Sequence, residues 1–223
     1  IAAAVIYFWK DIVRIVTAWV QGLGNKEKRD SLDYRLGWYV IIGSVPVAIA
    51  GLLFKKDVET IFRSLWFVIA GLVAWSFVML APDYVDGHVK KQRSEQDLTC
   101  KDALFMGVMQ CFALIPGVSR SGSTISGGLF RGIDRVEATK LSFYLGIPAL
   151  VAAGLLESVT QAKYIKAGIG WPATIIGTVA AFAVGYAAIA WLLKFVSKHD
   201  FTAFIWYRLG LALVVVLLLT NGA

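Results

Sequence analysis

One arginine and a run of hydroxyls sit where hydrocarbon is expected. Residues 115–128 read IPGVSRSGSTISGG, placing Arg120 among Ser119, Ser121, Ser123 and Thr124, directly after the apolar stretch ALFMGVMQCFAL. An ionised side chain at membrane depth costs about 2.5–3.5 kcal/mol on insertion scales and is rarely kept for packing alone. A planar guanidinium holds two oxygens of a phosphate at once, which an ammonium does not. Neighbouring hydroxyls and the free N–H groups of a helix start add donors at a positive dipole end. These residue types at this spacing suit the binding of an oxyanion, phosphate above all.

The elements that position the run follow from its breakers. Pro116 lacks the N–H and Gly117 tolerates positive φ, so a helix ends there. The pattern predicts two half-helices over 102–129. About 14 residues per arm reach roughly 20 Å, short of the ~30 Å hydrocarbon layer. The segment is therefore expected to enter the membrane and return, with Ser119, Ser121 or Ser123 capping the second arm. Non-helical backbone at that depth needs a protein or water-filled surround, so the tip should line a pocket. Re-entrant loops also build ion filters, and small-residue spacings such as Gly128 to Gly132 let helices pack closely. The glycines beyond 126 are read as packing positions.

The chain has 223 residues, 58% hydrophobic and 17% charged, less charge than a soluble domain of this length carries. Runs of about 20 apolar residues, the length that crosses a bilayer, occur at 1–19, 36–54, 65–82, 141–159, 171–193 and 203–221. The expected fold is an all-α polytopic membrane protein: one integral domain over 1–223 with about six transmembrane helices and one re-entrant hairpin. The loops at 20–35, 83–101, 130–140 and 194–202 hold thirteen Lys and Arg against five at 55–64 and 160–170, which puts the first group in the cytoplasm. That assignment needs 83–101 and 130–140 on one side, as a re-entrant hairpin requires, and it leaves the C-terminus on the periplasmic side. The formal charge of +7 would suggest nucleic acid in a soluble protein, but here the loops account for it and no such partner is expected. Nothing opposes a homo-oligomer. Cys100 and Cys111 have no metal-ligand spacing. Residue 1 already lies in the apolar run IAAAVIYFW, so a longer chain is expected.

Known phosphate and acyl motifs do not fit the polar run. A Walker loop needs a Lys after its glycines. A nucleophile elbow needs Gly where Ser121 stands. The type-2 phosphatidate phosphatases place a His after Ser-Arg and five intervening residues, where this chain has Ser126.

PGVSRSGST, residues 116–124, resembles the P-G-x-S-R-S-x-x-T signature of the undecaprenyl-diphosphate phosphatases, the bacitracin-resistance protein family. FWKDIV, GSVPVAIAGLLF at 43–54, LSFYLGIP at 141–148 and FIWYRLG at 204–210 are similar to that family as well. The resemblance implies two inverted repeats, each with a re-entrant hairpin, in the bacterial inner membrane with the site open to the periplasm. It implies removal of the terminal phosphate from a polyprenyl diphosphate, yielding the carrier lipid of peptidoglycan synthesis. By position, Ser119, Arg120 and Thr124 match the family's functional residues.

Gly117, Ser121, Ser123, Gln110 and Arg208 complete the candidate substrate-binding set. Of these, Ser121 and Ser123 lean towards capping, and Gln110 is open between pocket wall and interhelix hydrogen bond. Arg208, inside the last run, is open between snorkelling to the surface and a second cation at the pocket. Mg2+ or Ca2+ is implied by the resemblance, with carboxylates from an E-x-x-x-E motif ahead of a Ser- and His-bearing hairpin. No such motif occurs in these residues, so no metal ligand is assigned. His88 and His199 are read as solvated or interfacial, and Glu157 as a helix-end residue, though its position matches an acid of the family. Lys10 and Arg14 are expected to snorkel. The rival expectation is a transporter or flippase of a phosphate-bearing lipid built on the same broken helix.

Overall fold

A computed structural model describes residues 1–86, 92–168 and 170–221 of the chain. In hydrocarbon each backbone N–H and C=O must be satisfied within its own segment, so the apolar runs form helices. In chain order these are α1 (Ala2–Tyr7), α2 (Trp9–Gly24), α3 (Leu32–Leu53), α4 (Lys55–Glu59), α5 (Leu65–Asp86), α6 (Cys100–Cys111), α7 (Arg120–Phe130), α8 (Arg135–Ala167), α9 (Gly170–Val196) and α10 (Thr202–Thr220). Five of them, α3, α5, α8, α9 and α10, are long and apolar enough to cross a membrane. Leu155, Val159, Ile176 and Val184 stand exposed on their outer faces, a distribution that suits lipid and not water.

The first apolar run departs from the expected span. It breaks at Phe8 (φ −94°, ψ 16°) into α1 and α2, and neither piece has the length and apolarity of a membrane span. Charge and a local packing demand explain the difference. Phe8 is buried against Phe143 and Tyr144 of α8 at ring distances of 5.2 and 5.4 Å. On α2, Arg14 donates to Asp33 of α3 at 2.7 Å and to Asp11 at 3.2 Å, a polar face that ties α2 to α3. Five helices long and apolar enough to cross a membrane are thus found among the described residues.

The helical hairpin is present, with two short arms and a break between them. Thr99 and Asp102 form a reciprocal cap at the start of α6. This arm has 12 residues, about 18 Å at 1.5 Å each. A 3-10 turn over Phe112–Leu114 and the break at 115–119 follow, and α7 returns with 11 residues. Gly132, with φ of 71°, closes α7 as Ile133 N–H donates back to the Gly128 carbonyl at 3.1 Å. Both ends of the hairpin meet at Arg93, whose backbone donates to Gly132 O and accepts from Asp134 N after the second arm and whose side chain donates to Asp102 at the start of the first. His88, Lys90 and Lys91 of the 83–101 loop lie outside the described residues.

The hairpin is packed in protein on three sides. α6 lies against α3, and α7 lies between α5 and α8. Leu36, Met106, Ile133 and Leu145 at the centre of this packing are fully buried. α10 packs on α5 through Ile69, Leu72 and Ala212.

Candidate active site at the hairpin tip

Backbone chemistry shapes the tip. Gly117 has φ of 91°, a region that L side chains rarely adopt. A Cβ there would also overlap the Val68 carbonyl of α5. The chain then turns into α7, and Ser119 is the residue that caps it: its Oγ accepts from Gly122 N–H at 3.1 Å. Arg120 is the first residue of the helix.

The hydroxyls divide into two groups. Ser123 Oγ and Thr124 Oγ1 each donate to the Arg120 carbonyl at 2.9 Å, the back-bonding that buried Ser and Thr adopt in helices. Both residues are fully buried. Thr124 Oγ1 also lies 3.4 Å from Gln110 Oε1 across the hairpin. Its one proton goes to the shorter contact, and the buried Gln110 Nε2 is left without a partner. Gln110 is therefore fully buried inside the hairpin. Ser119 and Ser121 instead have their Oγ atoms 3.4 Å apart on the wall of a cavity of about 260 Å³ that Met79, Ile125, Phe204 and Arg208 also line.

The Arg120 side chain runs the other way, onto α8. Its Nη1 donates to the Ser142 carbonyl at 3.2 Å, and it crosses Gly146 so closely that a Cβ there would overlap the guanidinium. Among the described residues no carboxylate pairs with it. A half-buried cation met only by neutral acceptors keeps its attraction for an incoming anion.

Arg208 does not snorkel. It is 8% exposed, while its neighbours Trp206 and Tyr207 face outwards. Its Nε donates to Ser76 Oγ at 3.2 Å, and its Nη2 donates to the carbonyls of Gly71, Leu72 and Gly117 at 3.2, 3.3 and 2.8 Å. The guanidinium is thus clamped on α5 and on the tip itself, and it borders the cavity that holds Ser119 and Ser121.

Ser142, Gly146, Ser76 and Gly71 escaped the reading of the sequence. Gly146 lies in the stretch LSFYLGIP, and nothing in that stretch says which side chain crosses it. Another cavity, about 290 Å³, is lined by apolar side chains such as Phe54, Phe62 and Ile115, with Cys111, and offers no cation. Glu157 is exposed on α8, and His199 stacks on Phe195 with its ring centroid 4.6 Å away. No three His, Cys, Asp or Glu converge among the described residues. A guanidinium with hydroxyls is a poor donor set for Mg2+ or Ca2+, which take carboxylate and carbonyl oxygens, so the tip does not fit the metal that the resemblance implies.

A broken helix pair with a polar tip, packed among helices long and apolar enough to cross a membrane and with two guanidiniums bonded beside its turn, defines a multi-pass membrane protein. The chain belongs to the bacitracin resistance protein BacA family, whose model matches residues 1–214. It is 50% identical over 220 residues to undecaprenyl-diphosphatase 3 of Frankia casuarinae, covering 99% of this chain and 78% of that one. Undecaprenyl-diphosphatases of Cutibacterium acnes and Acidothermus cellulolyticus are 51% and 47% identical over 229 and 222 residues, covering 99% and 100% of this chain and 80% and 79% of theirs.

Proposed function

We propose that this chain is an undecaprenyl-diphosphate phosphatase. Water adds to the terminal phosphorus, the bridging P–O bond breaks, and inorganic phosphate leaves the lipid monophosphate behind. Recycling of the carrier lipid supports peptidoglycan synthesis and bacitracin resistance. The observation that carries the reading is Arg120, half-buried at the start of α7 with neutral partners only and braced over Gly146.

Phosphoryl transfer passes through a loose transition state whose charge spreads over the equatorial oxygens, so the protein's work is positioning and charge stabilisation. Arg120 clamps the diphosphate. Ser119 caps α7 with a lone pair, accepting from Gly122, and this leaves its own proton for a phosphate oxygen. Ser121 adds a second hydroxyl. Thr124 and Ser123 hold the Arg120 backbone through its carbonyl, and Arg208 holds the Gly117 carbonyl while adding positive potential. Mg2+ or Ca2+ has no assigned role at these residues.

The same reading places the protein in the bacterial inner membrane. The hairpin ends lie in the cytoplasm, the tip is reached from the periplasmic side, and the C-terminus is periplasmic. The distribution of Lys and Arg over the loops supports that orientation. The test is an assay of the full chain as its gene encodes it, purified in detergent with undecaprenyl diphosphate. Release of one inorganic phosphate per monophosphate formed supports the reading. Binding of the lipid with no phosphate released contradicts it and favours a carrier.

A further inference from the structure

The base of the hairpin is held by a single carboxylate. Asp102, at the start of α6, is fully buried. Its Oδ2 accepts from Arg93 Nη2 at 2.7 Å and from Thr99 N and Oγ1 at 2.9 and 2.7 Å. Its Oδ1 accepts from Arg131 Nε at 2.7 Å and Arg93 Nη1 at 3.1 Å. Arg131 ends the second arm, and Arg93 precedes the first. Arg93 also donates from Nη1 to the Arg131 carbonyl at 3.0 Å and binds Gly132 and Asp134 through its backbone. Five hydrogen bonds on one carboxylate therefore join the segment before the hairpin, the outgoing arm and the returning arm.

We infer that Asp102 is a positioning residue for the phosphate site, acting at the opposite end of the hairpin from the substrate. The physical reason is leverage. From Asp102 to the end of α6 the helix runs about 15 Å at 1.5 Å per residue. A change of about 4° in the angle between the arms moves the tip by about 1 Å, and a misplacement of that size costs up to about 10²-fold in rate. Aliphatic packing alone fixes such an angle weakly, because apolar contacts are non-directional. A carboxylate held bidentately by one guanidinium and by a second from the other arm is directional at both ends. Removing the carboxylate's charge leaves two partly exposed guanidiniums, with side chains 31% and 41% exposed, side by side without a shared anion, and their repulsion loosens the arms.

Two arms of one experiment test this inference, the kinetic one resting on the phosphatase reading and the distance one independent of it. Asp102→Asn keeps the shape and loses the charge; Arg131→Lys keeps the cation. In the full chain, kcat per folded molecule is expected to fall about 10- to 100-fold in Asp102→Asn, with KM changed less than about 3-fold and Arg131→Lys close to the parent. In a Cys100→Ala, Cys111→Ala background, spin labels at Val108→Cys and Phe130→Cys, both on exposed positions of the two arms, should show a broader or longer distance distribution when Asp102→Asn is added. A destabilised but correctly set hairpin would lose folded protein with kcat and the distance distribution unchanged, and that result overturns the inference. If the parent releases no phosphate, the phosphatase reading fails while the spin-label distances still decide this one.

Discussion

Arg208, on the last helix, donates to the carbonyl of Gly117 at the hairpin tip at 2.8 Å, across 91 residues of chain. The same Nη2 reaches two carbonyls of α5, so one guanidinium sets the tip against two spanning helices. Lys has no planar fork and does not satisfy Ser76, Gly71 and Gly117 together. Arg208→Lys is expected to lower turnover by about tenfold or more and to destabilise the fold by about 1–3 kcal/mol, measured by phosphate release and by thermal unfolding in detergent. Parent-like values for both would show that the brace is idle.

Gly146 offers a cleaner separation of stability from chemistry. Ala is favoured over Gly inside a helix by about 1 kcal/mol, so Gly146→Ala should not weaken α8. Its Cβ meets the Arg120 guanidinium, which must shift. The expected outcome is a melting temperature equal to the parent's within a few degrees and a kcat lowered about 10- to 100-fold, the scale of a misplaced catalytic group. Retained turnover would show that the position of Arg120 over α8 is not the active one.

Ser119 combines a cap with a free proton, and two substitutions separate the roles. Asp caps a helix as well as Ser does, whereas Ala costs about 1 kcal/mol. Ser119→Asp is expected to melt like the parent and yet to lose turnover, because its charge repels the phosphates. Ser119→Ala is expected to lose both in part. Equal activity of Ser119→Asp and the parent would remove Ser119 from the site.

Two carboxyls outside the spans set opposite pH responses. Burial opposes ionisation of Asp102, but hydrogen bonds from Arg93, Thr99 and Arg131 outweigh it and hold the group well below the usual carboxylate range. Its contribution is present in full above the unfolded value, about 4, and is lost only as pH falls through the lower folded value. The clasp should therefore hold unchanged from pH 8 to pH 5. Glu95 is pushed up by burial and by Glu137 nearby, so its contribution is lost as pH rises. Glu95→Gln should raise the melting temperature at pH 8 and converge on the parent as pH falls towards about 4. A lower melting temperature at pH 8 would contradict that sign.

The hairpin was legible in the sequence because its signals are local. Pro116 and Gly117 break a helix wherever they stand, and a polar run between apolar arms has few places to go. Five spans were legible for the same reason. The break at Phe8 was not, since it depends on rings of α8 more than a hundred residues away. The clasp of Arg93, Asp102 and Arg131 and the brace of Arg208 on Gly117 link charges to partners that no periodicity names. The burial of Thr124 was also hidden: its spacing from Arg120 fits a phosphate ligand and a back-bonded helix residue equally well, and only the packing of α7 against its neighbours separates the two.

The proposed hold of Arg120 on the diphosphate is read most directly from the turnover of Arg120→Ala and Arg120→Lys on undecaprenyl diphosphate, with folding checked by thermal unfolding. Loss of a preorganised donor to developing charge typically costs about 10²–10³ in kcat. A loss at least that large is expected for Arg120→Ala, with partial recovery in Arg120→Lys and a fold retained in both. Phosphate release by folded Arg120→Ala within a few-fold of the parent would contradict it.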